Sequence, residues 1–254
     1  MMAKDCVSTQ DRILESASLE FAEKGFAGAR MDSISKRAQV NKAMIHYYYS
    51  NKEQLYSQIL ELIFKKPGPI NEFMTDITER NLSLQEKIGA LVYFMVLLNL
   101  EIMSPINHRV LAWEFAEGGK FLGRIIPTTL MPRMVTLVSL IEEGVDSGEL
   151  NIESSLELII WNMVSSVMFL GQQKMIVGKI YEKAPENLSF MLGLKDSSSM
   201  DLYSIVIRNL FINLGLSYQK VSDFKLPISL QHAVEDFASK IKQEKTEEFT
   251  NESK

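Results

Sequence analysis

The sequence predicts an all-α protein. It divides into a small N-terminal helix-turn-helix domain at residues 1–66, a larger helical domain at 67–226 and a partly helical C-terminal tail at 227–254. Three observations predict this. Apolar residues recur at helical spacing along most of the chain. No stretch alternates with period two between hairpin turns. The 13 Gly and 7 Pro cluster between the periodic stretches instead of interrupting them.

The first helix starts at Ser8 or Thr9, where a hydroxyl can cap free N–H groups and Asp11 adds a favourable charge. Ile13, Leu14, Ala17, Phe21 and Ala22 form its apolar stripe, and Gly25 stands where a left-handed cap residue is wanted. A second helix fits Met31–Ala38, with Ile34 and Ala38 inward. Gln39-Val40-Asn41 is a short break around a buried Val, and Asn41 caps a third helix from Lys42 to Tyr48. Asn51 caps a fourth, with Gln54 in capping-box position and Leu55, Ile59, Leu62 and Ile63 inside. Lys65 and Lys66 suit its C-terminal end, and Pro67-Gly68-Pro69 stops it. Helices as short as the second and third are marginal alone and need bracing by the longer ones beside them.

Further helices are expected at 84–103, 105–117, 128–147, 153–178 and 200–219. In the tail, Phe237 and Ile241 could dock one helical face.

Composition excludes several functions. Hydrophobic residues make up 46% and charged residues 23%, so the chain is neither collagen-like nor wholly disordered. A net charge of −5 excludes a uniformly basic nucleic-acid coat, though not a local basic patch. A single cysteine, Cys6, excludes an internal disulfide framework and the multi-cysteine zinc sites, and fits a reducing cytoplasm. The longest apolar run, Leu91–Leu100, is too short for a membrane span. No phosphate loop, dinucleotide fingerprint or His-Glu-x-x-His motif occurs, so no catalytic residue, cofactor or metal is assigned.

The charge is distributed unevenly. Between Lys24 and Lys52 stand Lys24, Arg30, Lys36, Arg37, Lys42 and Lys52 against one acid, Asp32. That window carries +5 and also holds His46, Tyr47, Tyr48 and Tyr49. With Ile45 and Tyr49 inward on the third helix, Lys42, Met44, His46, Tyr47 and Tyr48 are left towards solvent or a groove. Such a surface suits a major groove about 12 Å wide. Lys52, beside the N-terminal amides of the fourth helix, could join them in holding a phosphate. Residue types alone leave open both a solvated charged face and a nucleic-acid surface.

Residues 9–55 resemble the DNA-binding domain of the tetracycline-repressor-like (TetR) family of bacterial transcription regulators. The resemblance rests on Ile13-Leu14, Ala17, Phe21, Gly25-Phe26, Met31, Ile34, Ala38, Val40 and Lys42. Its densest part is Ile45-His46-Tyr47-Tyr48-Tyr49 followed by Asn51-Lys52-Glu53 and Leu55. Four positions depart from the pattern: Gln39 and Ala43 where Gly is usual, His46 where Tyr is, and Tyr49 where Phe is. Gln39 is therefore expected to take a left-handed conformation.

By position, the resemblance implies DNA contacts from Lys42, Ala43, Met44, His46, Tyr48 and Lys52, with Arg30 or Met31 at the start of the second helix. It also implies that the chain regulates transcription, as a ligand-responsive repressor that binds a palindromic double-stranded operator. Its larger domain would then hold a small-molecule pocket and form a homodimer through helices near 153–178 and 200–216. Pocket candidates for a hydrophobic effector are Tyr93, Phe94, Leu97, Trp113, Phe115, Phe121, Trp161 and Met168, all of which also suit a plain core. Asn99, Glu101, His108, Arg109 and Glu114 are polar groups near these apolar stretches. The alternative reading is an all-helical protein-interaction adaptor.

Overall fold

The computed structural model describes residues 8–64, 67–181 and 197–251, and no strand occurs among them. Cys6 and the break expected at 183–185 lie outside that set. The chain forms two compact units, each discontinuous in sequence. One comprises residues 1–67, 103–132 and 240–254, and the other comprises 68–102 and 133–239.

The first unit opens with α1 (Thr9–Gly28), α2 (Met31–Ala38), α3 (Lys42–Tyr49) and α4 (Lys52–Phe64). Their caps follow the sequence closely. Ser8 Oγ accepts from the Asp11 N–H at 3.1 Å, Asn41 Oδ1 from Ala43 at 3.0 Å and Asn51 Oδ1 from Gln54 at 2.8 Å. Gln39 takes the left-handed conformation (φ 54°, ψ 44°) expected of it. Three expectations need correction, the first being Leu62, which is exposed on α4 instead of facing inward. Val40 is half-buried because the turn leaves one side of it open. Gly25 combines φ 67° with ψ 177°, so it breaks α1 in an extended form open only to glycine, and a helical turn resumes after it.

The same unit contains α7 (Pro105–Ala116) and α8 (Leu122–Thr129). A boundary at residue 66 closes the first four helices, yet α1 needs α7 to cover it. The Trp113 indole donates to the Ala22 carbonyl at 3.3 Å, and its ring lies where a Cβ on Gly25 would approach within 2.9 Å. Glu114, almost wholly buried, accepts from the N–H groups of Phe121 (2.6 Å) and Leu122 (3.1 Å). Its carboxylate thereby satisfies amides at the start of α8 and complements the dipole of that helix. Pro127 lies inside α8, an eight-residue helix too short to announce itself in the sequence. Phe21, Phe26, Tyr56 and Phe121 meet edge-on and tilted, with the contacting ring centroids of Phe26, Tyr56 and Phe121 within 5.1 Å.

The second unit contains α5 (Pro67–Glu79, all but its first residue) and α6 (Leu84–Leu97). The Pro67-Gly68-Pro69 run stops one helix and starts another, because proline at a first helical position has no N–H to lose. The helix expected at 84–103 changes at Leu98 into a π-helical turn, Leu98–Ile102. Buried Asn99 in that turn accepts from the Gly171 N–H at 3.3 Å.

Next come α9 (Met131–Asp146), α10 (Leu156–Tyr181) and α11 (Ser199–Asn213). The helix expected at 200–219 ends early, because Gly215 (φ 79°) passes so close to the Asn151 carbonyl that any Cβ would collide with its oxygen. Two further helices follow, α12 (Tyr218–Asp223) and α13 (Ile228–Asn251). The tail is thus helical through Asn251, and Ile241 is buried as expected. Phe237 stacks on Phe73 at 4.4 Å and tilts against Phe94 at 5.3 Å, while Tyr93 donates its hydroxyl to Glu235 at 2.6 Å.

Candidate nucleic-acid interface

Helix α3 is amphipathic along its length. Ile45 and Tyr49 are buried, and Lys42, Ala43, Met44, His46, Tyr47 and Tyr48 are exposed. The exposure of Tyr47 reaches 79%, and its ring meets that of Tyr48 edge-on at 5.2 Å. Two adjacent aromatic rings therefore project from an eight-residue helix anchored by only two residues. At the entry to α2, Arg30 is exposed and Met31 half-buried. Every DNA-contact residue read from the sequence thus lies on α3 or at the start of α2 or α4.

The basic window is less positive at its surface than its composition suggests. Lys24 pairs with Glu20 at 2.7 Å. Arg37 grips Glu23 with two hydrogen bonds of 3.0 and 2.8 Å, and that grip holds the Glu23 carboxyl below its ordinary range. Both acids lie on α1, just outside the window. Lys42 pairs with Asp32 at 2.9 Å, which ties the start of α3 to α2 and holds the Asp32 carboxyl below its ordinary range. Asp32 is countable in the sequence as the one acid in the window, but the pairing needs the turn geometry. Arg30, Lys36 and Lys52 are the cations of the window with no ion pair among the described residues.

Lys52 is engaged inside the domain. Its ammonium donates to the carbonyls of Phe26 (2.8 Å) and Ala29 (3.1 Å) and lies 4.6 Å from the centre of the Phe26 ring. It closes the end of α1 onto the start of α4, and two of its three N–H donors are spent there. Sequence position alone puts Lys52 at a helix N-terminus; the carbonyls that capture it come from residues 23 and 26 positions earlier.

The connection from α3 to α4 is strained. Ser50 has φ 52° and ψ −52°, and the Asn51 N–H turns back to the Tyr49 carbonyl. The Ser50 N–H donates to the His46 carbonyl at 2.9 Å, and His46 Nδ1 donates to the Ser50 carbonyl at 2.7 Å. No sequence signal points to Ser50.

The predicted pocket residues are divided between the two units. Tyr93, Phe94 and Leu97 are buried in the second unit, Met168 is half-buried there, and Trp161 is 52% exposed. Trp113 and Phe121 belong to the first unit, against α1 and α4, and Phe115 there is exposed. An open groove of ≈ 560 Å³ in the second unit, with Ser83, Phe211, Lys220 and Phe224 in its walls, contains none of them. Of the polar candidates, Glu114 caps α8 and Glu101 accepts from Ser199 at 2.6 Å.

Residues 13–59 match the family described as "Bacterial regulatory proteins, tetR family". The chain is 48% identical over 61 residues to the HTH-type transcriptional repressor SCO4008 of Streptomyces coelicolor, covering 24% of this chain and 32% of that protein. It is 32% identical over 143 residues to the probable HTH-type transcriptional regulator YttP of Bacillus subtilis, covering 54% and 65%. The matches therefore span less than two thirds of these relatives. Among solved structures, the hemolysin II transcriptional regulator HlyIIR is similar over 80% of this chain and 97% of its own, with a TM-score of 0.54 and 24% identity. The regulator FadR of Bacillus subtilis, solved with stearoyl-CoA, covers 80% and 97% with a TM-score of 0.55 and 18% identity. At those identities the structural likeness concerns the fold.

Proposed function

We propose that the chain, whose residues 13–59 match the tetR family of bacterial regulatory proteins, is a transcriptional repressor working in the cytoplasm. It binds an operator in double-stranded DNA as a homodimer. The observation that carries this reading is α3, where two buried residues anchor a helix whose other faces are exposed, cationic and aromatic. A helix of this width enters the major groove, where Met44 can meet a thymine methyl and His46, Tyr47 and Tyr48 can reach base edges or phosphates. Arg30, Lys36 and Lys42 supply phosphate contacts. Asp32 holds Lys42 in place until a phosphate competes for it, and Lys52 keeps α1 and α4 at a fixed separation so that α3 is presented rigidly.

One helix reads few bases, so a twofold pair reading half-sites about 34 Å apart, or a multiple of that, gives the needed specificity. Exposed apolar residues on α10 and α11 support the dimer. Leu158 is 68% exposed, Ile205 59% and Ile212 50%, along with Trp161 and Phe169. Such large apolar groups clustered on two neighbouring helices suit a surface covered by a second copy. A hydrophobic effector would bind one conformation of the dimer better than the other and so release DNA.

Selection of the purified full chain against a random duplex library tests the reading. Recovery of inverted half-sites, with affinity falling steeply as salt rises, is the expected result. Equal recovery of all duplexes at low salt would overturn it.

A further inference from the structure

We infer that His46 is a base-reading residue that meets the DNA as a hydrogen-bond acceptor and so selects for an exocyclic amine. The inference rests on the DNA-binding reading and starts from the two bonds between residues 46 and 50. The His46 carbonyl accepts from the Ser50 N–H at 2.9 Å, and the Ser50 carbonyl sits 2.7 Å from His46 Nδ1. A carbonyl oxygen can only accept, so Nδ1 must carry a proton. In the neutral imidazole the other nitrogen, Nε2, then bears a lone pair and no hydrogen.

Ser50 makes this arrangement rigid. Its φ of 52° and ψ of −52°, with the Asn51 N–H folded back to Tyr49, form a tight three-residue turn uncommon for a non-glycine residue. The turn aims the Ser50 carbonyl back along α3 at the imidazole. Ring and turn therefore hold one another, and the ring loses little further freedom on binding DNA.

Among the described residues, the charged groups on the neighbouring helices are engaged elsewhere or unpaired. On α3 and α2, Lys42 and Asp32 are paired with each other, and Arg30 and Lys36 make no ion pair among the described residues. On α4, Lys52 is taken by the Phe26 and Ala29 carbonyls, and Glu53 faces Lys120 at 3.6 Å. His46 itself is exposed.

In the major groove an acceptor is satisfied by the N6 amine of adenine or the N4 amine of cytosine. It is opposed by the acceptor edges of guanine and by thymine O4. Wild-type protein should therefore require adenine or cytosine at one step of each half-site.

The test uses the full chain and the duplex recovered by selection. At each half-site position that favours adenine, the base is replaced by purine, which lacks only the amine. Where cytosine is favoured, the pyrimidinone lacking the amine is used. Wild type should lose about tenfold in affinity at one such position, and His46→Phe, which keeps the ring shape, should be indifferent to the deletion there alone. His46→Arg, a donor, should change the preference at that step to guanine. Base preferences left unchanged by both variants, or guanine selected by wild type at that step, would overturn the inference while leaving DNA binding intact. Failure of wild type to enrich any duplex would overturn DNA binding itself, and the inference with it. The first readout needs no variant, because the base deletion is made in the DNA and measured on wild type.

Discussion

Replacing Lys52 with methionine separates a structural from a DNA-binding lysine. Methionine preserves most of the aliphatic stem and removes the ammonium. The variant loses hydrogen bonds to the Phe26 and Ala29 carbonyls at 2.8 and 3.1 Å, together with the approach to the Phe26 ring at 4.6 Å. Ala29 is almost fully buried, so its carbonyl cannot simply turn to water. A charge-assisted bond is worth about 1.5–3 kcal/mol net and an exposed cation–ring contact about 0.5–1 kcal/mol. Discounting for the half-exposed position of Lys52, the loss should be about 2 kcal/mol. For a chain of this size that lowers Tm by about 4–8 °C. Urea and thermal unfolding of the full chain read this directly. In parallel, the slope of log affinity against log salt should stay at the wild-type value, whereas each phosphate no longer neutralised would reduce it by about 0.9. Wild-type unfolding with a reduced salt slope would contradict the structural role and return Lys52 to the phosphate backbone.

Four further outcomes are expected. Lys36→Ala should leave Tm unchanged and lower the salt slope by about 0.9 for the phosphate it ceases to neutralise, because that exposed cation has no ion pair to lose among the described residues; an unchanged slope in a DNA-binding titration would remove it from the interface. Gly25→Ala should cost about 2–5 kcal/mol in denaturant unfolding, since the residue needs φ 67° and its new Cβ would sit 2.9 Å from the Trp113 ring. Burial, aided by Glu114 for Tyr56 and by Glu235 for Tyr93, pushes the hydroxyls of Tyr56, Tyr93 and Tyr203 well above the ordinary tyrosine value of 10.0. The folded state favours their neutral forms, so this stability is complete below pH 10 and is lost as pH rises beyond it. Spectroscopic titration should show Tyr56, Tyr93 and Tyr203 ionising only together with unfolding. Ile205→Glu should yield monomers in sedimentation and weaken operator binding, and a persistent dimer would move the interface away from α11.

The local signals of the first four helices are strong enough to read directly. Ser8, Asn41 and Asn51 each cap the helix that their position announces, and Gln39 is left-handed where the turn demands it. Caps and apolar spacing act within a few residues, so the sequence carries them whole. The same holds for α3, since burying Ile45 and Tyr49 forces the residues between them outward. Longer helices are harder to read. The π-helical turn at Leu98, the helix around Pro127 and the early end of α11 depend on Asn99, Glu114 and Gly215 meeting groups outside their own helical turns.

The amphipathic character of α3 and the kinds of side chain it offers follow from the order of residues on one short helix, so they are written in the chain itself. Which of those charges stay free is a matter of packing. Lys24 and Arg37 are answered by Glu20 and Glu23 of α1, Lys42 by Asp32, and Lys52 by carbonyls at the end of α1. Composition counts every cation in a window equally. Electrostatic attraction acts over a few ångströms, so pairing is settled by which helices come together, and the residues that neutralise this window lie partly outside it.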